Sequence, residues 1–332
     1  MKLQREWLLL LGSLLVMAAL YNHYMGHSAY LVEIIFVVVG VLLALYSLRT
    51  LGAKPQAAQE GLIVQLLTRV MSKEKCAQVL PLSGFLIILL WSGWKLFEKG
   101  QTDLRMEDFI VTLFGLSLVL YYSGPSKFTM QKDFMVLYLM FMTIVFAVIW
   151  KLYTILTGDS YVRITAYSEY YFITMPVVFL VNLFGVPASY DLNLSGHGLS
   201  NIITYAYHGR TIYLGIGTGC SGLYSEGLFF SAFLAFVLVR YRKIDRYVLV
   251  ALGLGFLVTW ASNIIRMTIT ILVGSAWGHP ALVFVHSYLG IIIFVVFVTV
   301  FWYFIVKWLD RMEKIERKET IPESDGPAAQ QV

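Results

Sequence analysis

Charge is scarce in this chain. Only 14% of its 332 residues are charged, 25 Lys and Arg against 20 Asp and Glu. An ordinary soluble domain carries about 25%. So few charges cannot clothe a soluble fold of this length, and they also exclude a disordered chain. Cysteine is scarcer: Cys76 and Cys220 are the two present, which excludes a disulfide scaffold or a cysteine-zinc framework. Histidine offers one metal-like i,i+4 pair, His23 and His27, isolated from other ligands, so no metal is expected. The glycine run from Gly215 to Gly219 lacks the lysine of a phosphate loop, so no nucleotide cofactor is expected. Apolar residues are abundant at 58%, and the mean hydropathy is +0.73. The class left standing is a polytopic, all-α membrane protein. Its net charge of +5 then reports topology, and nucleic acid is not an expected partner.

A helix needs about 20 apolar residues to cross a bilayer. Eight stretches are candidates: 7–21, 29–48, 80–97, 109–122, 134–157, 222–239, 247–275 and 282–306, of which the first and 109–122 are short. The first reads as an anchor, because a second hydrophobic stretch follows it instead of a small-residue cleavage site. A ninth stretch, 170–186, is decided by charge. The basic loop 240–246 and the tail Lys307 to Lys318 belong in the cytoplasm. If 170–186 spanned, the loop with Arg49, Lys54, Arg69, Lys73 and Lys75 would fall outside. If it does not span, 18 of the 25 basic residues lie inside. The sequence therefore predicts eight spans, both termini cytoplasmic, and 170–186 as a re-entrant or interfacial helix kinked at Pro176.

The segment 187–219 is then extracytoplasmic. Asn201 to Tyr207 and Thr211 to Ile216 are rich in β-branched and aromatic residues around His208-Gly209-Arg210, which predicts a β-hairpin leading to Cys220. Residues 62–79 predict an amphipathic helix on the inner leaflet. The chain divides into a five-helix membrane bundle (1–157), a catalytic membrane region (158–306) and a basic tail (307–332), whose end from 319 is expected to be disordered.

Polar residues in apolar helices are costly and ask for a reason. Arg266 lies 19 residues beyond Tyr247, about 28 Å along a helix, near the outer boundary. It either snorkels to headgroups or forms an organised site with Asn263, three residues earlier on the same face. His286 lies just inside the outer end of the last span, as a structural or a chemical histidine, with Gly290 one turn on. Cys220 follows Gly219 and precedes Ser221 and Gly222 at the start of a helix, where a thiolate is favoured. Its bland reading is a small residue in a glycine-rich turn. The topology, fixed by loop charges alone, brings Cys220, Arg266 and His286 to one depth on three consecutive helices. Glu226 is a supporting candidate that would orient His286 or pair with Arg266. Cys76, beside Lys73 and Lys75, has no histidine partner on its side and reads as incidental.

Thr218-Gly219-Cys220-Ser221-Gly222, Asn263-Ile264-Ile265-Arg266 and His286-Ser287-Tyr288-Leu289-Gly290 resemble, in order and spacing, the Cys-Ser-Gly, Asn-x-x-Arg and His-x-x-x-Gly blocks of the exosortase/archaeosortase family. The motif-bearing part covers 187–306. The resemblance implies an integral membrane cysteine protease and transpeptidase. Its partners would be exported proteins with a C-terminal sorting signal: a short motif, a transmembrane helix and a basic cluster. Membrane lipid is one acceptor, beside water or an amine. Some archaeosortases carry Arg in the third block; His286 leans to the exosortase pattern, which is linked to Pro-Glu-Pro signals.

The implied chemistry is acyl transfer. Cys220 is the nucleophile and His286 the proton acceptor, while Arg266 and backbone N–H groups around Gly219 to Gly222 stabilise the oxyanion. Sequence does not separate the roles of His and Arg. A rival reading is a transporter or flippase that binds an anionic lipid or polysaccharide precursor through Arg266 and Glu226. Transporter sites lie near the midplane, and these charges cluster at one face. A third is a non-catalytic assembly subunit.

Overall fold

The computed structural model describes residues 15–16, 30–50, 61–97, 105–122, 128–157, 166–192, 201–216, 222–286 and 290–320. They are mostly helical, with one small sheet. They form two compact units, Met1–Ile155 with Ser231–Arg242, and Leu156–Phe230 with Lys243–Val332. Four helices among the described residues are long and apolar enough to cross a bilayer: Lys73–Lys95, Thr129–Val148, Leu223–Arg240 and Arg246–Trp277. Most of the stretch 7–21 lies outside the described residues.

The first unit holds α1 (Tyr30–Thr50), α2 (Leu62–Leu67), α3 (Lys73–Phe97), α4 (Met106–Val119) and α5 (Thr129–Thr143). A π-helical turn at Ile144–Val148 carries α5 on into α6 (Ile149–Thr157). α3 and α4 approach backbone to backbone: a Cβ on Gly84 would stand 2.4 Å from the Gly115 carbonyl oxygen. Small residues allow this closeness between apolar helices. At the other end of α3, Lys95 and Asp108 are buried, 1% and 2% exposed. The Lys95 ammonium is 3.3 Å from the Asp108 carboxylate. That carboxylate also accepts the Trp91 indole N–H at 2.9 Å and the Arg105 backbone N–H at 2.8 Å. Asp108 lies in the first turn of α4, where the helix dipole favours its charge. One carboxylate thus answers a cation, an indole and a free helix N–H.

Asp133 works in a similar way. It accepts the backbone N–H groups of Leu62 and Ile63 and the Tyr121 hydroxyl, which ties α2 to α5 and to the end of α4. Gly61 leaves the room: a Cβ there would fall within 2.7 Å of both the carboxylate and the Tyr121 hydroxyl.

The expected amphipathic helix 62–79 is two pieces. α2 ends at Leu67, the Thr68 hydroxyl turns back to the Gln65 carbonyl, and the chain turns before α3 begins at Lys73. Residues 73–79 belong to the long apolar helix because Cys76 and Leu80 pack inward. Cys76 is fully buried while Lys73, Glu74 and Lys75 are exposed, so its basic neighbours face elsewhere.

The second unit is built on a long helix. Residues 166–183 are helical, with a π-helical turn at Tyr170–Thr174 leading into α7 (Met175–Leu183). The sheet follows: β1 (Ala188–Leu192), β2 (Asn201–Tyr207) and β3 (Arg210–Ile216), antiparallel in that order. Then come α8 (Leu223–Arg240, whose residues from Ser231 belong to the first unit), α9 (Arg246–Trp277), α10 (His279–Phe284) and α11 (Gly290–Thr320). α9 has 32 residues, about 48 Å at 1.5 Å each, against an apolar bilayer core of about 30 Å. Its first turn is capped by Asp245, which accepts the Val248 N–H at 2.9 Å. Lys243 joins Asp245 to Glu316 of α11, and bonds to Glu316 and then Asp245 raise its pKa above the ordinary lysine range. α11 runs to Thr320 and carries the basic stretch from Lys307 as helix.

The expected hairpin is present and gains a strand. His208 (φ 47°) and Gly209 (φ 75°) form a two-residue turn, with Arg210 already in β3. Both turn residues take left-handed backbone, the geometry that matches strand twist. β1 was not anticipated: Ala-Ser-Tyr-Asp-Leu is too polar and too short to read as a strand, and pairing with β2 holds it. Ile203, Tyr205 and Ile216 of the sheet share a core with Ile173, Val177, Val178 and Val181 on one side and Ile264, Met267 and Ile271 of α9 on the other.

Pro176 sits in the second residue of α7 and has no N–H to offer the Phe172 carbonyl one turn back. That carbonyl accepts the Trp260 indole N–H instead, at 2.8 Å. Pro176, where a kink was expected, follows directly on the π-helical turn Tyr170–Thr174.

Candidate active site

α8 and α9 run antiparallel with a constant register. The Phe229 ring lies on Gly255, where a Cβ would be 1.9 Å from it. One turn back along α8, Glu226 accepts the Thr259 hydroxyl at 2.6 Å, one turn on along α9. A further turn brings Gly222 onto Asn263: a Cβ on Gly222 would meet the Asn263 amide at 2.6 Å. Each turn back on α8 is matched by a turn forward on α9. Gly222 has φ 82°, a left-handed conformation that side chains avoid. Both the backbone and the contact therefore require glycine here.

Gly222→Ala is expected to cost about 1–2 kcal/mol from backbone strain alone. It also pushes the Asn263 amide aside. The unfolding temperature of Gly222→Ala in detergent is expected to fall while that of Gly253→Ala, which meets nothing within 4 Å, stays near the wild type. Equal behaviour of the two would overturn the requirement for glycine at 222.

Arg266 lies three residues beyond Asn263 on α9, partly buried, and its carbonyl accepts the Thr270 hydroxyl at 2.8 Å. Asn263 itself is buried. His286 follows α10, also partly buried, close enough to Arg266 that the two charges interact. The turn that brings α10 back is made by Gly278, φ 84°, packed against the Tyr207 hydroxyl of β2. Gly274, one turn earlier, leaves room for the Tyr205 hydroxyl and Leu282. The sheet therefore braces the turn between the helix of Arg266 and the segment of His286. Burial raises the pKa of the Tyr205 phenol, which keeps it a neutral hydrogen-bond donor.

Of the residues expected from sequence, Gly222 and Asn263 are in contact, and Arg266 and His286 are electrostatic neighbours. Glu226 goes to Thr259, two turns along α9 from Arg266, and among the described residues it forms no ion pair with Arg266 or His286. Thr259 intercepts it because the helix register sets it directly opposite. Cys220, Gly219 and Ser221 lie outside the described residues.

Several contributors were not anticipated. Thr259 and Trp260 precede Asn263 on α9 and hold Glu226 and the Phe172 carbonyl. Asn201, fully buried at the start of β2 opposite Ile216, donates to the Ala166 carbonyl at 3.0 Å and to the buried Glu169 carboxylate at 3.4 Å. The available signal was Glu169 itself, the last acid before a 21-residue run without charge.

Residues 61–303 match the family model described as transmembrane exosortase, well over half of the chain. The chain belongs to the transmembrane exosortase family. The exosortase match begins at Gly61, beside Asp133, and ends within α11, so it covers part of each compact unit and every described site residue. No curated protein and no solved structure matches the chain. Membership makes the chain a membrane protein of a family of sorting transpeptidases.

Proposed function

We propose that this exosortase cleaves a C-terminal sorting signal from exported proteins through a Cys220 thioester and passes the acyl group to an acceptor. The supporting observation is the α8–α9 register. It sets Gly222 on Asn263, one turn from Arg266, with His286 within reach of the Arg266 charge. Cys220 stands two residues before Gly222, and two residues of chain reach at most about 7 Å.

The step conserves its protons and electrons. The Cys220 thiol gives its proton to His286, and the sulfur attacks the scissile carbonyl carbon. The carbonyl oxygen takes negative charge beside Arg266 and the backbone N–H groups at the start of α8. Collapse expels the amine, which takes the proton back from His286. An acceptor hydroxyl or amine, or water, then opens the thioester and the thiol is restored.

In this reading the membrane has eight spans, both termini are cytoplasmic, and the site opens on the extracytoplasmic side of the plasma membrane. The excess of basic residues in loop 240–246 and along the end of α11 supports that orientation. The length of α9 beyond the apolar core supports a site raised toward one face.

The test is mass spectrometry of a co-expressed exported reporter ending in a Pro-Glu-Pro segment, an apolar helix and a basic cluster. The expected product lacks the helix and basic cluster and bears a new C-terminus, free or joined to an acceptor. A reporter recovered intact would sink the proposal. Transport of an anionic lipid that survives Cys220→Ser would favour the transporter reading.

A further inference from the structure

The sheet has two edges, and they are treated differently. At the β1 edge, Ala188 turns its backbone groups away from β2. Both are taken by the Asn182 side chain, N–H to Oδ1 at 2.8 Å and carbonyl from Nδ2 at 2.9 Å. That is a protected edge start. Among the described residues β3 pairs with β2 alone. A two-residue turn makes Tyr207 and Arg210 a hydrogen-bonded pair, so in the antiparallel alternation Thr211, Tyr213 and Gly215 turn N–H and C=O outward. Among the described residues nothing meets these outward groups. Alternation also divides the side chains. Ile212, Leu214 and Ile216 face the core, while Tyr213 is 72% exposed on the other face and Gly215 adds no side chain there. β3 ends at Ile216, four residues before Cys220.

We propose that the free edge of β3 is the substrate-binding surface, taking an extended polypeptide as a fourth strand that runs toward Cys220. This inference rests on the cysteine transpeptidase reading. Three residues with alternate backbone groups outward present a ladder that recognises any extended peptide through its main chain. Sequence preference would come from the exposed face beside Tyr213, and Gly215 leaves the incoming chain room at the end of β3 that precedes Cys220 in the sequence. Strand addition also holds a peptide extended, the form in which its carbonyls are reachable by a thiolate. Four residues separate the end of β3 from Cys220 in the sequence, which favours substrate over a second copy of the chain as the occupant.

The experiment uses the full chain in membranes and the reporter described above. Tyr213→Pro removes one outward N–H and fills the edge with a ring, while the N–H groups of Ile212 and Leu214 keep the ladder to β2. Processing at limiting reporter is expected to fall about tenfold or more, in KM rather than kcat. Tyr190→Pro, the corresponding outward position on β1, is expected to stay within about twofold. In a Cys220→Ala background, benzoylphenylalanine at 213 is expected to cross-link the reporter and at 190 not to. This second readout holds even where the proline variant fails to fold. Processing by Tyr213→Pro at the wild-type rate overturns the edge proposal alone. So does a cross-link from 213 to another copy of the chain, or equal cross-linking from 190 and 213. A wild-type chain that leaves the reporter intact overturns the functional reading and this proposal together.

Discussion

Cys220→Ala is expected to reduce reporter processing about a thousandfold or more, to the background of membranes lacking the protein. In the proposed mechanism sulfur supplies the bond that the acyl group passes through, and alanine offers no substitute. Arg266→Ala should lose about a hundredfold or more, the size seen when one donor to an oxyanion is removed. If Cys220 and His286 act as a unit, as proposed, Cys220→Ala with His286→Ala should be no worse than Cys220→Ala alone. Cys76→Ala serves as the comparison. Its thiol is fully buried in α3, and the change should leave processing intact once membrane levels are matched. Immunoblots of processed and unprocessed reporter read all four. Normal processing by Cys220→Ala would end the nucleophile assignment, and an equal loss from Cys76→Ala would show that the comparison reports folding.

The second large effect is on stability. Lys95→Met removes the cation from a carboxylate that is 2% exposed and leaves Asp108 with the Trp91 and Arg105 N–H groups. A charge stranded in this way costs about 3–5 kcal/mol. Removing both charges in Lys95→Met with Asp108→Asn leaves no stranded ion and keeps an acceptor for Trp91. It should recover most of the loss. Thermal unfolding in detergent measures this, with the single variant well below both the wild type and the double variant. If single and double variants unfold together, the pair contributes only its packing.

The architecture was legible where a physical signal repeats along the chain. Long apolar runs gave α3, α5, α8 and α9 because the bilayer demands length and admits few charges. The hairpin was legible because β-branched and aromatic residues flank a turn glycine. β1 was not, since its order comes from pairing with β2 and from Asn182, neither of which shows in Ala-Ser-Tyr-Asp-Leu. The break between α2 and α3 was hidden for a similar reason. Both pieces carry helical periodicity, and what separates them is the short turn after Leu67, where the Thr68 hydroxyl folds back to the Gln65 carbonyl.

The site was partly legible. Gly222, Asn263 and Arg266 stand out as a glycine at a helix start and as polar residues in an apolar helix, and the structure puts Gly222 on Asn263. The partner of Glu226 was not legible, because sequence does not reveal the register between α8 and α9. A shift of one turn would have set Glu226 opposite Asn263; the observed register sets it opposite Thr259. The sorting of polar contacts depends on which glycine receives the Phe229 ring, and that is decided by packing.

The bond between Trp260 and the Phe172 carbonyl makes two distant positions mutually dependent. While residue 176 is proline, the carbonyl needs a donor from outside its own helix, and the indole supplies it. Were residue 176 to acquire an N–H, the helix could close on itself and the indole would lose its obligation. Drift at either site is therefore constrained by the other: a chain can shed the tryptophan safely only after shedding the proline. Substitutions at 176 and 260 should combine non-additively, with the proline change masking the harm of the tryptophan change.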